Sequence, residues 1–357
     1  MKLSDLLTMI LILLMINTNI IKSNYIQATV GFFLSSAVVL ITERFGYSNF
    51  RCQLDFYECC DTHYVYNKSM LYESLNRDIY GQHIAIKMVH EAVSDHIEIQ
   101  SNKPLVMSFH GWTGTGKTYF SKKIVESMFS RKELSSFVHL WNCQSLFHNK
   151  SRVAEYSKEI HEWVMSNVSD RCDRSVFIFD EADHMPATLI DTLAPFFEHK
   201  TYREVDFSKT IFIFLSNVGG EEIAEELYYR LMKGNKRDEL NLNDLKKAVT
   251  TMAVLGNTGF QNSIIIKNKL IDVIVPFLPL EWQHVKLCIN HTIDELNIID
   301  YDLHKVYVEV KKNLNWIPNY FDNYKPIFSE SGCKKIDNLV KTELADELID
   351  NYDNDIL

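Results

Sequence analysis

Residues 111–118 read Gly111-Trp112-Thr113-Gly114-Thr115-Gly116-Lys117-Thr118, a complete G-x-x-x-x-G-K-T loop. The spacing has a chemical reason. Glycines let successive backbone N–H groups turn inward around an anion. Lys117 then reaches the β- and γ-phosphate oxygens, and the Thr118 hydroxyl is placed to ligate Mg²⁺. The residues that follow, 119–129, are helix-forming, so a positive dipole end faces the same anion. ATP with Mg²⁺ is the ligand this loop predicts. Lys117 itself is expected on an exposed loop.

A second chemical group lies downstream. Asp180 and Glu181 end an apolar run, 175–180. Paired acids at the carboxyl end of a strand, beside a phosphate loop, form a Walker B arrangement. Asp180 would hold Mg²⁺ through water, and Glu181 would polarise the attacking water. Asn217 ends the next apolar run, 210–216, where a polar side chain can position that water.

These groups need a scaffold that presents strand ends. Apolar runs at 105–110, 175–180, 210–216 and 273–277, with a short alternating strand at 137–142, are separated by helical stretches. The pattern predicts an α/β fold: a parallel five-stranded sheet covered by helices on both faces. Before it, 71–93 reads as a helix, a turn at Gly81 and an amphipathic helix. From Glu281 onward the pattern is helical, with an aromatic-rich break near Trp316 and Pro318, which predicts a small helical lid. The expected domains are a signal peptide at 1–23, a hydrophobic and Cys-rich connector at 24–68, a large α/β domain at 69–280 and the lid at 281–357.

The amino end carries Lys2 and an apolar run at 6–16, which reads as a secretory signal peptide. A further apolar run from Val30 to Ile41 is too short to span a bilayer comfortably. It suits a monotopic anchor on a membrane surface or a buried helix. Behind a signal peptide disulfides become allowed. The chain has 7 cysteines, so at least one stays unpaired, and their spacing gives no connectivity and no zinc site. Sequons beginning at Asn67, Asn149, Asn167 and Asn290 are acceptors for glycosylation in a secretory compartment.

Bulk numbers exclude some classes. Of 357 residues, 46% are hydrophobic and 24% charged, which suits a globular chain with a sizeable core. The formal net charge of −10 argues against nucleic-acid binding, because phosphate neutralisation supplies most of that affinity. Residues 180–183 spell Asp-Glu-Ala-Asp, but an RNA helicase of that type is excluded. The span from Lys117 to Asp180 is too short, and too little chain remains for a second RecA-like domain. No arginine follows Arg237 to contact RNA. The same gap bears on catalysis. Before the fifth strand, where ring ATPases offer an arginine finger, the chain reads Ile264-Ile265-Ile266-Lys267-Asn268-Lys269. Lysine is a poor substitute for a planar bidentate phosphate contact. The chain is therefore expected to be a weak ATPase alone.

Several longer motifs carry a resemblance. They are FHGWTGTGK (109–117), FIFDEADHMP (177–186), FIFLSNVGG (212–220), LIDVIVPFLPLEWQH (270–284) and SGCKK (331–335). Together, over most of the chain from about Cys59-Cys60 onward, they resemble the torsins, AAA+ ATPases of the endoplasmic reticulum lumen and nuclear envelope. The resemblance implies an AAA+ three-layer α/β/α domain and a lid with a sensor-II segment. There Gly332 and Lys334 would meet the nucleotide. It implies a redox-linked pair, Cys288 and Cys333, and a membrane anchor at 30–41. It also implies a homo- or hetero-oligomer and a membrane-anchored luminal activator with an AAA-like domain that supplies the missing arginine. One departure stands out: torsins commonly carry Asn after the loop lysine, and this chain has Thr118, which favours ordinary Mg²⁺ ligation.

Two other functions compete with a torsin-like remodelling ATPase. One is a self-sufficient Hsp100/Clp-like unfoldase, against which the arginine gap argues. The other is a nucleotide-gated binding module that rarely hydrolyses.

Overall fold

The computed structural model describes residues 58–99, 101–245, 248, 263–298, 301–317 and 325–354. The signal peptide at 1–23, the run from Val30 to Ile41 and Cys52 lie outside the described residues. Among the described residues no helix is long and apolar enough to cross a membrane. One compact unit runs from Cys60 to Leu357.

Its centre is a five-stranded sheet. β1 is Leu105–Gly111, β2 Val138–Asn142, β3 Val176–Asp180, β4 Ile211–Ser216 and β5 Val273–Phe277. The spatial order is β2-β3-β4-β1-β5, and every neighbouring pair is parallel. The buried apolar runs explain why both faces are covered. Alternate residues point to opposite sides of a strand. One face of the sheet presents Leu105, Met107, Phe109, Ile211, Ile213, Leu215, Val275 and Phe277 to one core. The other presents Val106, Phe177, Phe179, Phe212 and Phe214 to a second core. In the second core, Phe177 stacks on Phe212 and Phe179 on Phe214, each pair with centroids 5.1 Å apart. Stacking of this kind adds about 0.5–1.5 kcal/mol per pair beyond burial.

Helices supply the outer layers. α1 (Lys68–Asp78), α2 (His83–Glu98) and α3 (Lys117–Met128) cover the first face. α4 (Val153–Asp170) covers the second with Tyr156, Ile160, Val164 and Val168, one per turn. α5 (Gly220–Met232) packs Ile223 and Leu227 against Ile84 and Leu278. Beyond β5, α6 (Trp282–Leu296), α7 (Leu303–Lys312) and α8 (Ile336–Asn354) bury Val285, Ile289, Val306, Val310, Ile336 and Val340 among themselves. That separate cluster is the helical lid read from the pattern after Glu281.

Among the described residues of the unit, two disulfides act as staples. Cys60 pairs with Cys172 across 112 residues, a closure worth about 4–5 kcal/mol by loop entropy. Cys288, on α6, pairs with Cys333, just before α8. Cys143 is a free, buried thiol. One sequon is overturned: Asn167 is 5% exposed within α4, and its amide nitrogen, the atom a glycan would occupy, donates to Trp163 O. Asn67 and Asn149 are exposed, and their side-chain oxygens cap short helical starts. Asn290 is half-buried on α6 and accepts from the Tyr307 hydroxyl.

Candidate nucleotide site

The parallel register delivers three strand ends to one edge. β1 runs into the loop at Gly111, β3 ends on Asp180, and β4 ends beside Asn217. This is the crevice at the carboxyl ends of strands where open α/β sheets bind ligands.

Around the loop, Gly116 adopts φ +98 and starts α3 from the left-handed region, which favours glycine. Lys117 is the first helical residue. It is not on an exposed loop, as its position in the sequence suggested, but 8% exposed. Its ammonium donates to Gly111 O (2.7 Å), Trp112 O (2.9 Å) and Asn217 Oδ1 (2.9 Å). The loop wraps its own lysine, because an ammonium has three donors and the inward carbonyls supply acceptors. Burial pushes this ammonium down to about 8, against the opposing pull of Asp180 and Asp183.

The acids line up opposite. Thr118 Oγ1 donates to Asp180 Oδ2 at 3.0 Å. Asp180 Oδ1 accepts from the Glu181 N–H at 2.9 Å. Glu181 itself sits at φ 55, ψ 43, a left-handed conformation that costs about 1–2 kcal/mol for a residue with a side chain. Its Oε2 is buried and has no hydrogen-bond partner. Buried carboxylate oxygens are normally satisfied. An orphan here leaves a free acceptor on the residue next to Asp180. Thr118 and Asp180, hard oxygen donors within one hydrogen bond of each other, are a donor set that suits Mg²⁺.

The lid reaches the loop through backbone. Cys333 N donates to Gly114 O at 3.0 Å. Gly114 (φ +70) and Gly332 (φ +52) approach so closely that a Cβ on either would overlap the other's segment. The Trp112 indole donates to Glu330 O at 2.7 Å. A cleft of about 970 Å³ opens here, lined by Trp112, Thr113, Asn217, Glu221, Glu330 and Lys334. Lys334 is exposed, and its positive charge acts on Lys117.

The structure therefore brings together the loop 111–118, Asp180, Glu181, Asn217, Gly332 and Lys334. Sequence reasoning missed Asp183, whose Oδ1 accepts from the Asn217 N–H at 3.3 Å. It also missed His110, buried beneath the loop, with one ring nitrogen on Ser108 Oγ (2.7 Å) and the other on Val218 O (3.2 Å). Burial holds that imidazole down to about 4, so it is neutral and bridges the loop strand to the Asn217 turn. A histidine directly before the first loop glycine was the available signal. Gln82 was missed as well.

Comparison with known proteins gives the family and the fold. The Torsin family model matches residues 54–179. A Torsin-like protein of Caenorhabditis elegans is 35% identical over 301 residues, spanning 83% of this chain and 82% of its own. Among solved structures, the S. cerevisiae Hsp104-ADP complex superposes with a TM-score of 0.54 at 17% identity. That match covers 81% of this chain, which spans about half (48%) of the Hsp104 chain, and it shows the AAA+ fold. A phosphate loop, paired strand-end acids and a helical lid, on a sequence 35% identical to a curated relative over most of both lengths, make this chain a member of the torsin family of AAA+ ATPases.

Proposed function

We propose that the chain is a partner-dependent ATPase of the endoplasmic reticulum lumen and nuclear envelope, which couples ATP binding and hydrolysis to remodelling of luminal protein complexes or membranes. The observation that supports hydrolysis most directly is the buried, unpartnered Glu181 Oε2 beside Asp180. Loop N–H groups, Lys117 and Lys334 bind and orient the phosphates. Thr118 and Asp180 would hold Mg²⁺, which neutralises charge on the phosphates when bound. Glu181 accepts the proton of the attacking water, and Asn217, fixed by Lys117 and Asp183, orients that water. The domain division at 69–280 and 281–357, the anchor at 30–41 and glycosylation at Asn67, Asn149 and Asn290 belong to the same reading.

The missing arginine sets the expected rate. No arginine follows Arg237, and Arg237 is itself buried, bonded to Gly81 O, Pro279 O and Glu281. The purified chain is expected to turn over ATP slowly. A membrane-anchored partner with an AAA-like domain is expected to raise the rate about 10³–10⁵-fold by contributing an arginine. The measurement is phosphate release by the chain alone and with detergent-solubilised luminal membrane proteins. Fast turnover by the chain alone discards partner dependence.

Redox state is expected to change nucleotide affinity. Cys333 bonds covalently to Cys288 and its N–H bonds Gly114 O, so the disulfide fixes one wall of the loop. A dithiol reductant that cleaves the bond to two thiols frees that wall. ATP and ADP affinities are to be compared in oxidised and reduced protein, with the Cys288–Cys333 peptide mapped in each. Identical affinities in protein whose linkage differs would remove the switch.

A further inference from the structure

Gln82 precedes α2 and is 1% exposed, yet nothing in the proposed chemistry uses it. Its carboxamide reaches two distant segments. Nε2 donates to Thr115 O in the phosphate loop at 3.1 Å and to Leu278 O at 2.8 Å. Oε1 accepts from Leu278 N at 2.8 Å. Both amide donors and the acceptor are thus engaged with backbone, a fully satisfied buried group.

Each end of this bridge matters. A peptide unit is planar and trans, so its C=O and N–H point in opposite directions. Holding Thr115 O against Gln82 turns the N–H of Gly116 the other way, toward the anion the loop is read to hold. Gly116, at φ +98, has the freedom to rotate that peptide if it is released. At the other end, Leu278 begins the short stretch between β5 and α6, through which the chain enters the lid. Arg237 clamps the same stretch at Pro279 O (2.9 Å) and Glu281 Oε1 (3.0 Å), and it also bonds Gly81 O, one residue before Gln82. Glu281 in turn closes the capping box of α6 with His284.

We propose that Gln82 is a positioning residue that fixes the Thr115–Gly116 peptide of the phosphate loop and ties it to the lid hinge at 278–281, so that lid position and phosphate affinity are set together. The inference rests on the nucleotide reading above and adds to it the residue that couples loop to lid.

The test uses the full chain, with Gln82→Met, Gln82→Glu and Lys117→Ala compared for ATP and ADP binding and for thermal melting. Gln82→Met keeps length and volume but loses all three bonds. It is expected to bind both nucleotides on the order of tenfold more weakly. Amide exchange is expected to quicken at Gly116 and across 278–285 alike. Gln82→Glu sets a carboxylate against two carbonyl oxygens, so its carboxyl should protonate well above the usual range. Its affinity is expected to fall at pH 8 and to recover toward the wild-type value near pH 5, as the protonated acid regains a donor. A side chain that only supports the fold would lower the melting temperature without that pH-dependent recovery. Wild-type affinity in Gln82→Met, with binding lost in Lys117→Ala, overturns the proposal and leaves the nucleotide site standing. Wild-type affinity in Lys117→Ala overturns the site itself. If Gln82→Met does not fold, the pH profile of Gln82→Glu decides: a flat ratio to wild type from pH 8 to 5 overturns the coupling.

Discussion

Glu181→Gln is expected to bind ATP about as tightly as the wild-type chain and to hydrolyse it about 10²–10⁴-fold more slowly, the usual contribution of a positioned general base. The reason lies in one atom. Oε2 is buried with no partner, so it is free to accept from a water aligned on the phosphate. The amide keeps shape and a hydrogen bond and loses the proton acceptor. The loss should fall on kcat with KM nearly unchanged, because the substitution removes an interaction made in the transition state. Thermal stability should change little, since Oε2 makes no hydrogen bond that the substitution would break. Partner protein should then be retained in an ATP-dependent complex that survives a pull-down. Single-turnover hydrolysis at the wild-type rate would move the base to another residue.

Lys117→Ala is expected to weaken ATP binding by about 10²–10⁴-fold. On nucleotide binding the ammonium would exchange the Gly111 and Trp112 carbonyls for phosphate oxygens, and two charge-assisted contacts worth about 1.5–3 kcal/mol each convert to that range. Here the structure alters the expectation for stability. The lysine is buried and satisfies Gly111 O, Trp112 O and Asn217. Truncation leaves those acceptors unpaired, at a cost of about 1–3 kcal/mol. Relief of a desolvated charge offsets part of this cost, consistent with an ammonium whose affinity for its proton burial has already lowered. A lower melting temperature together with lost nucleotide protection is the expected pair of observations. Unchanged ATP affinity in a folded variant would falsify the phosphate-loop assignment.

The fold was legible where physics is local. β3, β4 and β5 are near-continuous apolar runs, and β1 is buried along its whole length although it carries Ser108 and His110, so the strands stand out from the helical stretches between them. The loop 111–118 was legible because its residue types answer to one ligand. What the sequence hid is long-range. Gln82 meets Leu278 across 196 positions, and no property of a lone glutamine announces two backbone partners. Cys60 pairs with Cys172 rather than with a near neighbour, which cysteine counting leaves open. Asn167 carries a glycosylation sequon, yet it faces inward with Val164 and Val168, so only helix phase reveals its burial.

Strand order carries a consequence for biosynthesis. β1 lies between β4 and β5, pairing His110 with Ser216 on one side and Gly111 with Phe277 on the other. The phosphate-loop strand therefore emerges from the ribosome long before either flanking strand exists. At about 5–20 residues per second, some 10–30 s separate translation of Gly111 from that of Phe277. Until Ser216 is made β1 offers two unpaired edges, and until Phe277 is made it still offers one, a geometry open to wrong association. The loop cannot adopt its final shape until residue 278 arrives to meet Gln82. ATP in the compartment of synthesis can therefore draw folding forward only at its last stage. A nascent chain stalled before β5 would be a client for chaperones that shield strand edges, whatever nucleotide surrounds it.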